Sequence, residues 1–537
     1  MTQREQVGSQ SGEQGSEQFE ETYDVVVVGG GPVGENAADR AGRTGLSVAL
    51  VEGELVGGEC SYWACMPSKA LLRPGAALAA AAQVPGLQGT LQGVHVDADA
   101  VLAWRDQVTS DWDDTGQVGW LESAGITLVR GHARLAGERL VRVEAPEVGA
   151  PSPDGVVDDA ATRSADRART RLLRARRAVV VATGSVPVLP DVPGLAEAAP
   201  WSSREATGAD RAPASLVIVG GGVVATEMAT AYADLGSHVT LLARSGLLSA
   251  AEPFAGELVG QALRDAGVDV RLGVEVRRVD RAAPGEPVTV TFAAREGEPR
   301  EEQVEAEEIL VATGRVARTS DLGVDAVGLE PGQPLAVDDT MAVLDVAAGS
   351  EGPWLFACGD VTGRTQTTHQ GKYQGRVAGD VIAARFGDGR DGVPTAGETP
   401  PAAGHEARPW SRYAATADAV AATQVVFTRP QVAWVGPTER TAREQGLHVR
   451  AVSYELGDVA GATVTSPGYA GRAQVLVDVE RRIVVGATFV GPDAGEMLHA
   501  ATVAVVGQVP LERLWHAVPA YPTVSEVWLR FLESYGL

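Results

Sequence analysis

The stretch Val25-Val26-Val27-Val28-Gly29-Gly30-Gly31-Pro32-Val33-Gly34 decides the fold. Its β-branched run is typical of a buried strand and leads directly into a glycine-rich turn. Gly29 permits the tight turn, Gly31 lets a pyrophosphate approach the backbone, and Gly34 allows the following helix to pack closely. Glu52 closes the next predicted strand, where a carboxylate binds ribose hydroxyl groups. The stretch predicts a dinucleotide-binding unit; the alternative interpretation is a glycine-rich turn in an unrelated α/β protein.

The same pattern recurs at Gly220-Gly221-Gly222-Val223-Val224-Ala225, again after a β-branched run. Gly220 and Gly222 match the first two glycines of the pattern, and Ala225 stands at its third position. A tandem of two such patterns is far harder to obtain by accident than one. The chain is therefore predicted to hold two dinucleotide sites.

The strand after the second pattern ends without an acid, as Leu241-Leu242-Ala243-Arg244-Ser245. A 2′-phosphate is repelled by a carboxylate and binds bidentately to a guanidinium, so Arg244 and Ser245 favour NADPH, with NADH as the weaker possibility. The alternative interpretation is that Arg244 is simply a solvated residue at the end of a strand.

Short apolar strands alternate with alanine-rich helical segments over most of the chain, a pattern typical of parallel sheets covered on both faces. After Val425 strands follow one another in series. The predicted fold class is α/β, with two Rossmann-like dinucleotide-binding domains and a carboxyl-terminal α+β domain. The predicted strands are Val25–Val28, Ser47–Val51, Ala178–Val181, Leu216–Val219, His238–Leu242, Ile309–Val311, Ala473–Val479 and Ile483–Val490.

The chain has 537 residues, and 70 acidic against 45 basic side chains give a net charge of −25. Such a charge repels phosphate backbones and anionic lipids, so neither nucleic acid nor membrane partners are expected. No apolar segment approaches the roughly 20 residues of a membrane span, and no secretory signal is evident, which favours a cytoplasmic protein. Lysine occurs twice, as Lys69 and Lys372, and no role is assigned to Lys372.

Two of the three cysteines lie close together in Gly57-Gly58-Glu59-Cys60-Ser61-Tyr62-Trp63-Ala64-Cys65-Met66-Pro67-Ser68-Lys69. Cys60 and Cys65, at the opening of a predicted helix, can close a small disulfide loop, and a helix amino terminus lowers a thiol pKa. A zinc site is disfavoured because only two ligands are present, and no metal site is predicted.

This segment resembles the Gly-Gly-x-Cys-x4-Cys-x-Pro-Ser-Lys signature of the class I pyridine nucleotide-disulfide oxidoreductases. Most of the chain from Tyr23 to Glu533 resembles that family. The resemblance implies an FAD enzyme that takes hydride from NAD(P)H, and a homodimer whose carboxyl-terminal domain is the dimerisation domain. Other matching segments are Ala182-Thr183-Gly184, Ala312-Thr313-Gly314-Arg315, Phe356-Ala357-Cys358-Gly359-Asp360, Phe427-Thr428-Arg429-Pro430 and Val490-Gly491-Pro492-Asp493-Ala494-Gly495-Glu496.

The resemblance also implies roles for single residues. Cys65 lies against the flavin, and Cys60 exchanges with the substrate. Lys69 pairs with Glu227 near the reactive flavin nitrogen, whereas Cys358 has no redox role. Asp360 binds the ribityl chain of FAD, and Ala133 lies near the adenine. The predicted cofactor-binding residues are Gly29, Gly31, Gly34, Glu52, Lys69, Ala133, Thr183, Gly184, Asp360, Gly220, Gly222, Ala225, Glu227, Arg244, Ser245 and Gly314.

The chain departs from the family near its end, where Tyr521-Pro522-Thr523-Val524-Ser525-Glu526 replaces a His-Pro-Thr-x-x-Glu phrase. In the family this phrase comes from the partner subunit and its histidine moves protons, so Tyr521 and Glu526 are predicted site residues of the partner's site. A tyrosine titrates near 10, so only about 0.1% of it is a ready base at pH 7. A quinone, a metal or another electron acceptor is therefore considered as an alternative to a small-molecule disulfide.

Three hypotheses follow. The first is an NADPH-dependent, FAD-containing oxidoreductase acting on a disulfide, similar to dihydrolipoyl dehydrogenase. The second is a quinone or metal reductase, or a transhydrogenase-like flavoenzyme. The third is a flavin-binding scaffold without turnover.

The predicted domain boundaries follow polar and Pro/Gly-rich stretches of the sequence together with the resemblance. Residues 145–171 are expected to be a surface excursion of the first domain. The boundaries are a disordered tail at 1–21, an FAD-binding domain at 22–205 and 326–386, an NAD(P)-binding domain at 206–325, a linker at 387–415 and an interface domain at 416–537.

Overall fold

The computed structural model of the protein describes residues 19–145, 170–296, 300–349, 352–388 and 407–537. Residues 1–18 of the predicted tail, most of the predicted excursion at 145–171 and residues 389–406 of the predicted linker lie outside these ranges. The described residues form two compact units. The first comes from Met1–Tyr62, Thr109–Val186 and Arg315–Asp418, and the second from Trp63–Val108, Pro187–Gly314 and Ala419–Leu537. The domain boundaries drawn from the sequence stay a prediction.

The strands are numbered here in chain order. They are β1 (Phe19–Val28), β2 (Val48–Glu52), β3 (Thr127–Arg130), β4 (His132–Gly137), β5 (Leu140–Glu144), β6 (Arg171–Val181), β7 (Ser185–Pro187), β8 (Ser215–Val219), β9 (His238–Ala243), β10 (Asp269–Leu272), β11 (Val274–Arg281), β12 (Val288–Ala294), β13 (Glu301–Ala306), β14 (Glu308–Val311), β15 (Arg315–Ala317), β16 (Leu355–Ala357), β17 (Thr423–Val426), β18 (Gln431–Val435), β19 (Val449–Glu455), β20 (Arg472–Asp478) and β21 (Ile483–Gly491).

The helices are named by their residues. They are Pro32–Gly42, Gly58–Tyr62, Cys65–Ala82, Gln88–Leu91, Ala98–Val108, Thr115–Ser123, Ser203–Gly208, Val223–Asp234, Pro253–Asp265, Thr368–Phe386, Ala417–Val420, Glu439–Glu444, Ala460–Thr465, Ala494–Val506, Leu511–Leu514 and Val527–Tyr535, with short 3-10 turns at Ser110–Trp112, Val324–Val327, Gly359–Thr362, Leu456–Asp458 and Val524–Glu526.

The first unit is built on a seven-stranded sheet of order β3-β2-β1-β6-β5-β4, with β16 also paired to β6. Strands β1, β2, β3, β6 and β16 run parallel, because helices return the chain to the same edge of the sheet. Their valine and leucine side chains are buried on both faces, as a covered parallel sheet requires.

Strand β1 begins at Phe19, six residues before the predicted strand start at Val25. The extension is an edge of charged residues paired with β6. Glu21 forms an ion pair with Arg171 at 2.9 Å, and Glu20 forms one with Arg174 at 2.5 Å. Residues 19–21 therefore belong to the fold and not to the predicted disordered tail, because cross-strand ion pairs hold Glu20 and Glu21 against β6.

Helix Pro32–Gly42, which follows the first glycine turn, packs tightly against helix Thr368–Phe386 of the same unit. Gly375 faces the first helix, and a Cβ atom there would stand 2.6 Å from the carbonyl oxygen of Val33. The absence of a side chain at Gly375 thus lets the two helices approach each other.

The second unit contains three sheets. A four-stranded parallel sheet has the order β10-β9-β8-β14, and a three-stranded antiparallel sheet has the order β11-β12-β13. The carboxyl-terminal part is a five-stranded antiparallel sheet of order β17-β18-β21-β20-β19. Its strands follow one another with helices behind them, so the predicted fold class, two parallel α/β sheets and an α+β domain, is confirmed.

No helix in the described ranges combines the length and the apolar character that crossing a membrane would require.

Candidate active site

The first glycine turn joins β1 to its helix within the first unit. The backbone of Gly29 has φ +107°, a left-handed conformation that favours glycine, and its N–H donates to the Val51 carbonyl at 2.9 Å. A Cβ atom on Gly29 would overlap the carbonyl oxygen of Ala182, and one on Gly34 would overlap the carbonyl oxygen of Gly29. The turn is therefore closed by backbone contacts that leave no room for side chains at these two positions.

Glu52 lies at the end of β2 beside this turn. Its Oε2 atom accepts a hydrogen bond from the Gly30 N–H at 2.7 Å, and its Oε1 atom accepts one from the Glu54 N–H at 2.8 Å. Burial raises the pKa of this carboxyl group, and the two backbone hydrogen bonds counteract the rise. The Glu52 carbonyl accepts from the Gly131 N–H at 3.0 Å, which places the start of the strand carrying Ala133 at the same edge of the sheet.

The structure leaves space where a cofactor phosphate would approach. A Cβ atom on Gly31 would meet only the Gly58 Cα atom, at 4.0 Å. Gly31 is the N-cap of helix Pro32–Gly42 and has no side chain to cap the first backbone N–H groups of that helix. Unfilled space beside uncapped N–H groups fits a pyrophosphate, so the residues present are suited to hold FAD.

The second glycine turn, in the second unit, has the same construction. The Gly220 N–H donates to the Leu242 carbonyl at 2.9 Å, and a Cβ atom on Gly220 would overlap the carbonyl oxygen of Ala312. Among the described atoms, none lies within 4 Å of a Cβ placed on Gly222, the N-cap of helix Val223–Asp234. This turn also fits a dinucleotide phosphate.

Ala243 occupies the place in the second turn that Glu52 has in the first. A Cβ atom on Gly30 would lie 3.0 Å from the Glu52 Cβ, and one on Gly221 would lie 3.2 Å from the Ala243 Cβ. Arg244 and Ser245, the next two residues, are exposed. The end of β9 therefore carries a cation and a hydroxyl group and lacks the acid that binds an unmodified ribose.

The cysteines lie on two helices. Cys60 belongs to helix Gly58–Tyr62 and Cys65 begins helix Cys65–Ala82; both are partly exposed. The helix that Cys65 begins has 18 residues, and its N-cap residue, Ala64, has no side chain able to cap it. A helix amino terminus attracts negative charge. Cys358, by contrast, is 1% exposed, and burial raises the pKa of its thiol.

Trp63, inside the cysteine segment, is anchored to helix Ser203–Gly208 of the second unit. The Arg204 guanidinium stacks 4.0 Å above its ring, and the Thr207 Oγ1 donates to its backbone carbonyl at 2.9 Å. Neither contact was predicted from the sequence, because nothing in the local pattern around these residues indicates a partner about 140 residues away. The contacts hold the backbone just before Cys65.

Lys69 and Glu227 meet in the second unit, one turn after Cys65. The Lys69 Nζ atom lies 2.8 Å from Oε2 and 3.1 Å from Oε1 of Glu227, which is only 3% exposed. Glu227 also accepts from the Phe427 N–H at 2.9 Å, and the ammonium group lies 4.9 Å from the Phe427 ring centroid. The lysine side chain is thus held between a carboxylate and an aromatic face.

Asp360 is organised by residues to which the sequence analysis assigned no role. The Ser185 Oγ donates to Asp360 Oδ2 at 2.6 Å, and the Arg315 Nε donates to the same hydroxyl oxygen at 2.8 Å. Burial raises the pKa of the Asp360 carboxyl, and the Ser185 hydrogen bond counteracts it. Arg315 also stands 3.8 Å from Glu59, the residue before Cys60. Arg315 belongs to a family-like segment, which is the one signal that could have found it.

The glycines beside these residues close the remaining turns. Gly184 has φ +72° and its carbonyl accepts from the Arg318 N–H at 3.0 Å, while the Gly314 carbonyl accepts from the Val188 N–H at 2.9 Å. Each follows a threonine at the end of its parallel sheet, which places Thr183 and Thr313 at corresponding corners of the two sheets.

Tyr521 and Glu526 are not brought together in the subunit. The Tyr521 side chain is 77% exposed, whereas Glu526 is 7% exposed and pairs with Arg530 four residues later on the same helical segment. In the described part of the chain the second carboxylate oxygen of Glu526 has no hydrogen-bond partner. The Tyr521 side chain therefore faces outward from its own subunit, and the Glu526 carboxylate pairs with Arg530.

Within the described residues, no three histidine, cysteine, aspartate or glutamate side chains are grouped closely enough to bind a metal ion.

The geometry and the sequence define one class of protein. Residues 23–375 match the family described as pyridine nucleotide-disulphide oxidoreductase, and residues 422–530 match the dimerisation domain of the same family. The chain belongs to this family. It is an FAD-dependent enzyme that uses NAD(P)H and acts as a disulfide reductase, and its dimerisation domain supports a homodimer.

Known proteins similar to the chain agree with this class. It is 31% identical to a dihydrolipoyl dehydrogenase of Halobacterium salinarum, with 95% of each chain covered. It is 26% identical to a mercuric reductase of Staphylococcus aureus, over 97% of this chain and 85% of the relative. The fold also matches the HOCl-induced flavoprotein disulfide reductase RclA of Escherichia coli with a TM-score of 0.71, at 21% identity and over 95% of this chain and 99% of that one.

Proposed function

We propose that the protein passes electrons from NADPH through FAD to a redox-active disulfide formed by Cys60 and Cys65, and on to a small-molecule disulfide. Overall, one hydride from NADPH and one proton reduce one disulfide to two thiols. The observation that carries this proposal is the 2.8 Å ion pair between Glu227 and Lys69. Lys69 lies on the helix that Cys65 begins. An ammonium group fixed by a buried carboxylate is suited to stabilise negative charge that develops beside it.

The other site residues have binding roles in this proposal. Glu52 would hold the ribose of FAD, the first glycine turn would hold its pyrophosphate, and Asp360 would hold its ribityl chain. Thr183, Gly184 and Ala133 would line the same cofactor. Bound FAD supplies the chemistry that accepts a hydride and delivers two electrons to sulfur.

The preference for NADPH rests on the end of β9. Ala243 stands where Glu52 stands in the first turn, so the carboxylate that would repel a 2′-phosphate is missing. Arg244 and Ser245 are exposed and able to donate hydrogen bonds to that phosphate. The second glycine turn and Gly314 would hold the remainder of the nucleotide.

Thiol counting tests the proposed electron path. Anaerobic addition of one equivalent of NADPH to the FAD-containing protein is expected to release two additional thiols per subunit in the wild type. Cys60→Ser and Cys65→Ser are expected to release none, and Cys358→Ser is expected to behave as the wild type because Cys358 is buried away from the exchange. An unchanged thiol count in the wild type would exclude a Cys60–Cys65 bridge.

A second candidate function is the reduction of a quinone or a metal ion. Two features favour it. Tyr521 stands in place of the family histidine and is exposed. Glu526 is paired with Arg530 and not with Tyr521. We propose that both residues act in the partner subunit's site. A neutral phenol donates a hydrogen bond well but is a poor proton acceptor at pH 7.

An acceptor screen separates the two functions. Wild type, Cys60→Ser and Tyr521→His are compared for NADPH-dependent reduction of lipoamide, glutathione disulfide and a soluble quinone. Disulfide turnover that Cys60→Ser abolishes and Tyr521→His increases supports the first function. Quinone turnover retained in Cys60→Ser, without disulfide turnover in any of the three proteins, supports the second.

A further inference from the structure

Arg295 lies beside the end of β9, although it belongs to a different sheet. It directly follows β12, and its backbone N–H donates to the Gly273 carbonyl at 2.8 Å, which fixes the end of that strand. Its Nη1 atom donates to the backbone carbonyl of Arg244 at 3.3 Å. Two guanidinium groups, those of Arg244 and Arg295, therefore belong to adjoining exposed residues at the edge of the second dinucleotide turn.

Arg244 and Arg295 differ from three nearby exposed arginines of the same unit. Those three have carboxylate partners: Arg271 with Asp269 at 2.7 Å, Arg277 with Glu275 at 2.9 Å and Arg278 with Asp280 at 2.5 Å. Within the part of the chain that the structure describes, no ion pair joins Arg244 or Arg295 to a carboxylate. In a chain of net charge −25, two adjoining arginines lacking carboxylate partners are expected where an anion binds.

We propose that Arg295 is a second ligand of the 2′-phosphate of NADPH, acting together with Arg244 and Ser245. This inference rests on the proposed NADPH preference and deepens it. A phosphate monoester carries about −1.5 to −2 charges at pH 7, so one guanidinium neutralises it only in part and a second adds a charge-assisted hydrogen bond. The hydroxyl of Ser245 supplies a third donor.

The geometry also limits what Arg295 does. Its guanidinium is tied to the Arg244 carbonyl, at the strand end where the ribose substituent of the nucleotide lies in this fold. It is distant in sequence from both glycine turns and carries no part of the phosphate-binding loop. Loss of the Arg295 guanidinium group is expected to weaken the binding only of nucleotides that have a 2′-phosphate.

Nucleotide binding to the FAD-containing full chain tests the proposal. Titration calorimetry compares adenosine 2′,5′-bisphosphate with 5′-AMP for wild type, Arg295→Gln, Arg295→Lys, Arg244→Gln and the control Arg278→Gln. Arg295→Gln is expected to lower the affinity for the bisphosphate by about 10- to 50-fold, because a hydrogen bond to a charged group is lost. Its affinity for 5′-AMP is expected to fall by less than about twofold. Arg295→Lys is expected to retain part of the affinity for the bisphosphate. The control Arg278→Gln removes the same charge from the same sheet and is expected to retain the full wild-type affinity.

The outcomes distinguish this inference from the proposed function. If Arg244→Gln weakens the bisphosphate and Arg295→Gln binds it as the wild type does, Arg295 is not a ligand and the NADPH preference stands. Equal weakening by Arg295→Gln and Arg278→Gln would show a general charge effect and overturn the inference. If the wild type binds both nucleotides equally, the NADPH preference itself is wrong, and the inference falls with it.

Discussion

The two glycine turns of this chain share their backbone contacts and differ in their side chains. Gly29 donates to Val51 and Gly220 donates to Leu242, in each case at 2.9 Å. The neighbouring strands β6 and β14 are joined to β1 and β8 in the same way. The N–H of Ala182, just after β6, donates to the Val28 carbonyl, and the N–H of Ala312, just after β14, donates to the Val219 carbonyl, each at 2.8 Å. The backbone hydrogen bonds at the strand ends are therefore the same in both turns.

The side chains diverge at several matched positions. Among them, Gly34 corresponds to Ala225, Glu35 to Thr226 and Glu52 to Ala243. The shared backbone serves what the two cofactors have in common, a pyrophosphate at a helix amino terminus. What differs between the cofactors is read by side chains at the edge of the turn. Each pair therefore offers a test of how far the two turns are equivalent.

The largest effect is expected from Gly34→Ala. The added Cβ atom would overlap the carbonyl oxygen of Gly29, which is backbone and has no room to rotate away. Unfolding is expected to become easier by about 3 kcal/mol or more, with a loss of bound FAD, because overpacking a closed turn forces the backbone apart. Thermal unfolding and flavin content measure the effect.

Ala225→Gly is the matched control. It removes a methyl group at the same position of the second turn and is expected to cost only about 1 kcal/mol, the difference in helix propensity. Equal effects of the two substitutions would mean that the close helix approach is not specific to the first turn.

The next effect concerns pH and Glu35, whose counterpart Thr226 has no charge to lose. Burial raises the pKa of Glu35 to about 7, and the Lys372 charge opposes that rise. In the described part of the chain its Oε1 atom has no hydrogen-bond partner. Because the folded pKa is raised, the stabilising contribution of this carboxyl is present below its ordinary pKa of 4.5 and is lost as the pH rises through about 7.

Denaturant unfolding of wild type and Glu35→Gln from pH 4 to pH 8 measures this contribution. The wild type is expected to lose up to about 3 kcal/mol relative to the variant over that range. Thr226→Ala is expected to differ from wild type by an amount that does not change with pH. A constant difference between wild type and Glu35→Gln would contradict the raised pKa.

A smaller effect is expected from moving the acid of the first turn into the second. Ala243→Glu places a carboxylate where Glu52 stands in the first turn, and it is expected to lower kcat/KM for NADPH by about 10- to 100-fold through repulsion of the 2′-phosphate. The value for NADH is expected to rise. Ala243→Gln has nearly the same volume without the charge, so an equal loss in both variants would indicate crowding and not repulsion.

The smallest effect is expected at the matched threonines. The Thr183 Oγ1 donates to the Arg318 carbonyl at 3.0 Å, and the Thr313 Oγ1 donates to the Val188 carbonyl at 3.1 Å. Thr183→Val and Thr313→Val are each expected to cost about 0.5–1.5 kcal/mol, the usual net contribution of one such hydrogen bond. Calorimetric unfolding measures both. Clearly unequal losses would show that the two corners are not equivalent.

Much of the fold could be predicted because its signals are local. The run Val25–Val28 and the glycines after it specify a strand and a tight turn within ten residues, and the structure has both. Strand β1 starts earlier than predicted because Glu20 and Glu21 are held by arginines about 150 residues later, which no local pattern reveals. Family resemblance added the pairing of Lys69 with Glu227, which lie 158 residues apart.

The supporting residues of the site could not be predicted in the same way. The hydrogen bonds that join Asp360 to Ser185 and Ser185 to Arg315 link segments 175 and 130 residues apart, and Phe427 reaches Glu227 across 200 residues. Each of these side chains has many polar partners available in the unfolded chain. Only packing of distant segments selects one of them.

The order of residues was enough to predict two glycine turns after parallel strands, a cysteine at the opening of a helix and the loss of the acid at Ala243, because backbone conformation and charge are properties of a few adjacent residues. It did not show that Cys60 lies on a separate short helix, Gly58–Tyr62. Folding in three dimensions settled which groups surround them: the arginine behind Asp360, the aromatic face under Lys69 and the arginine beside Arg244. Those contacts depend on distances between segments that are far apart along the chain, and such distances are set by packing.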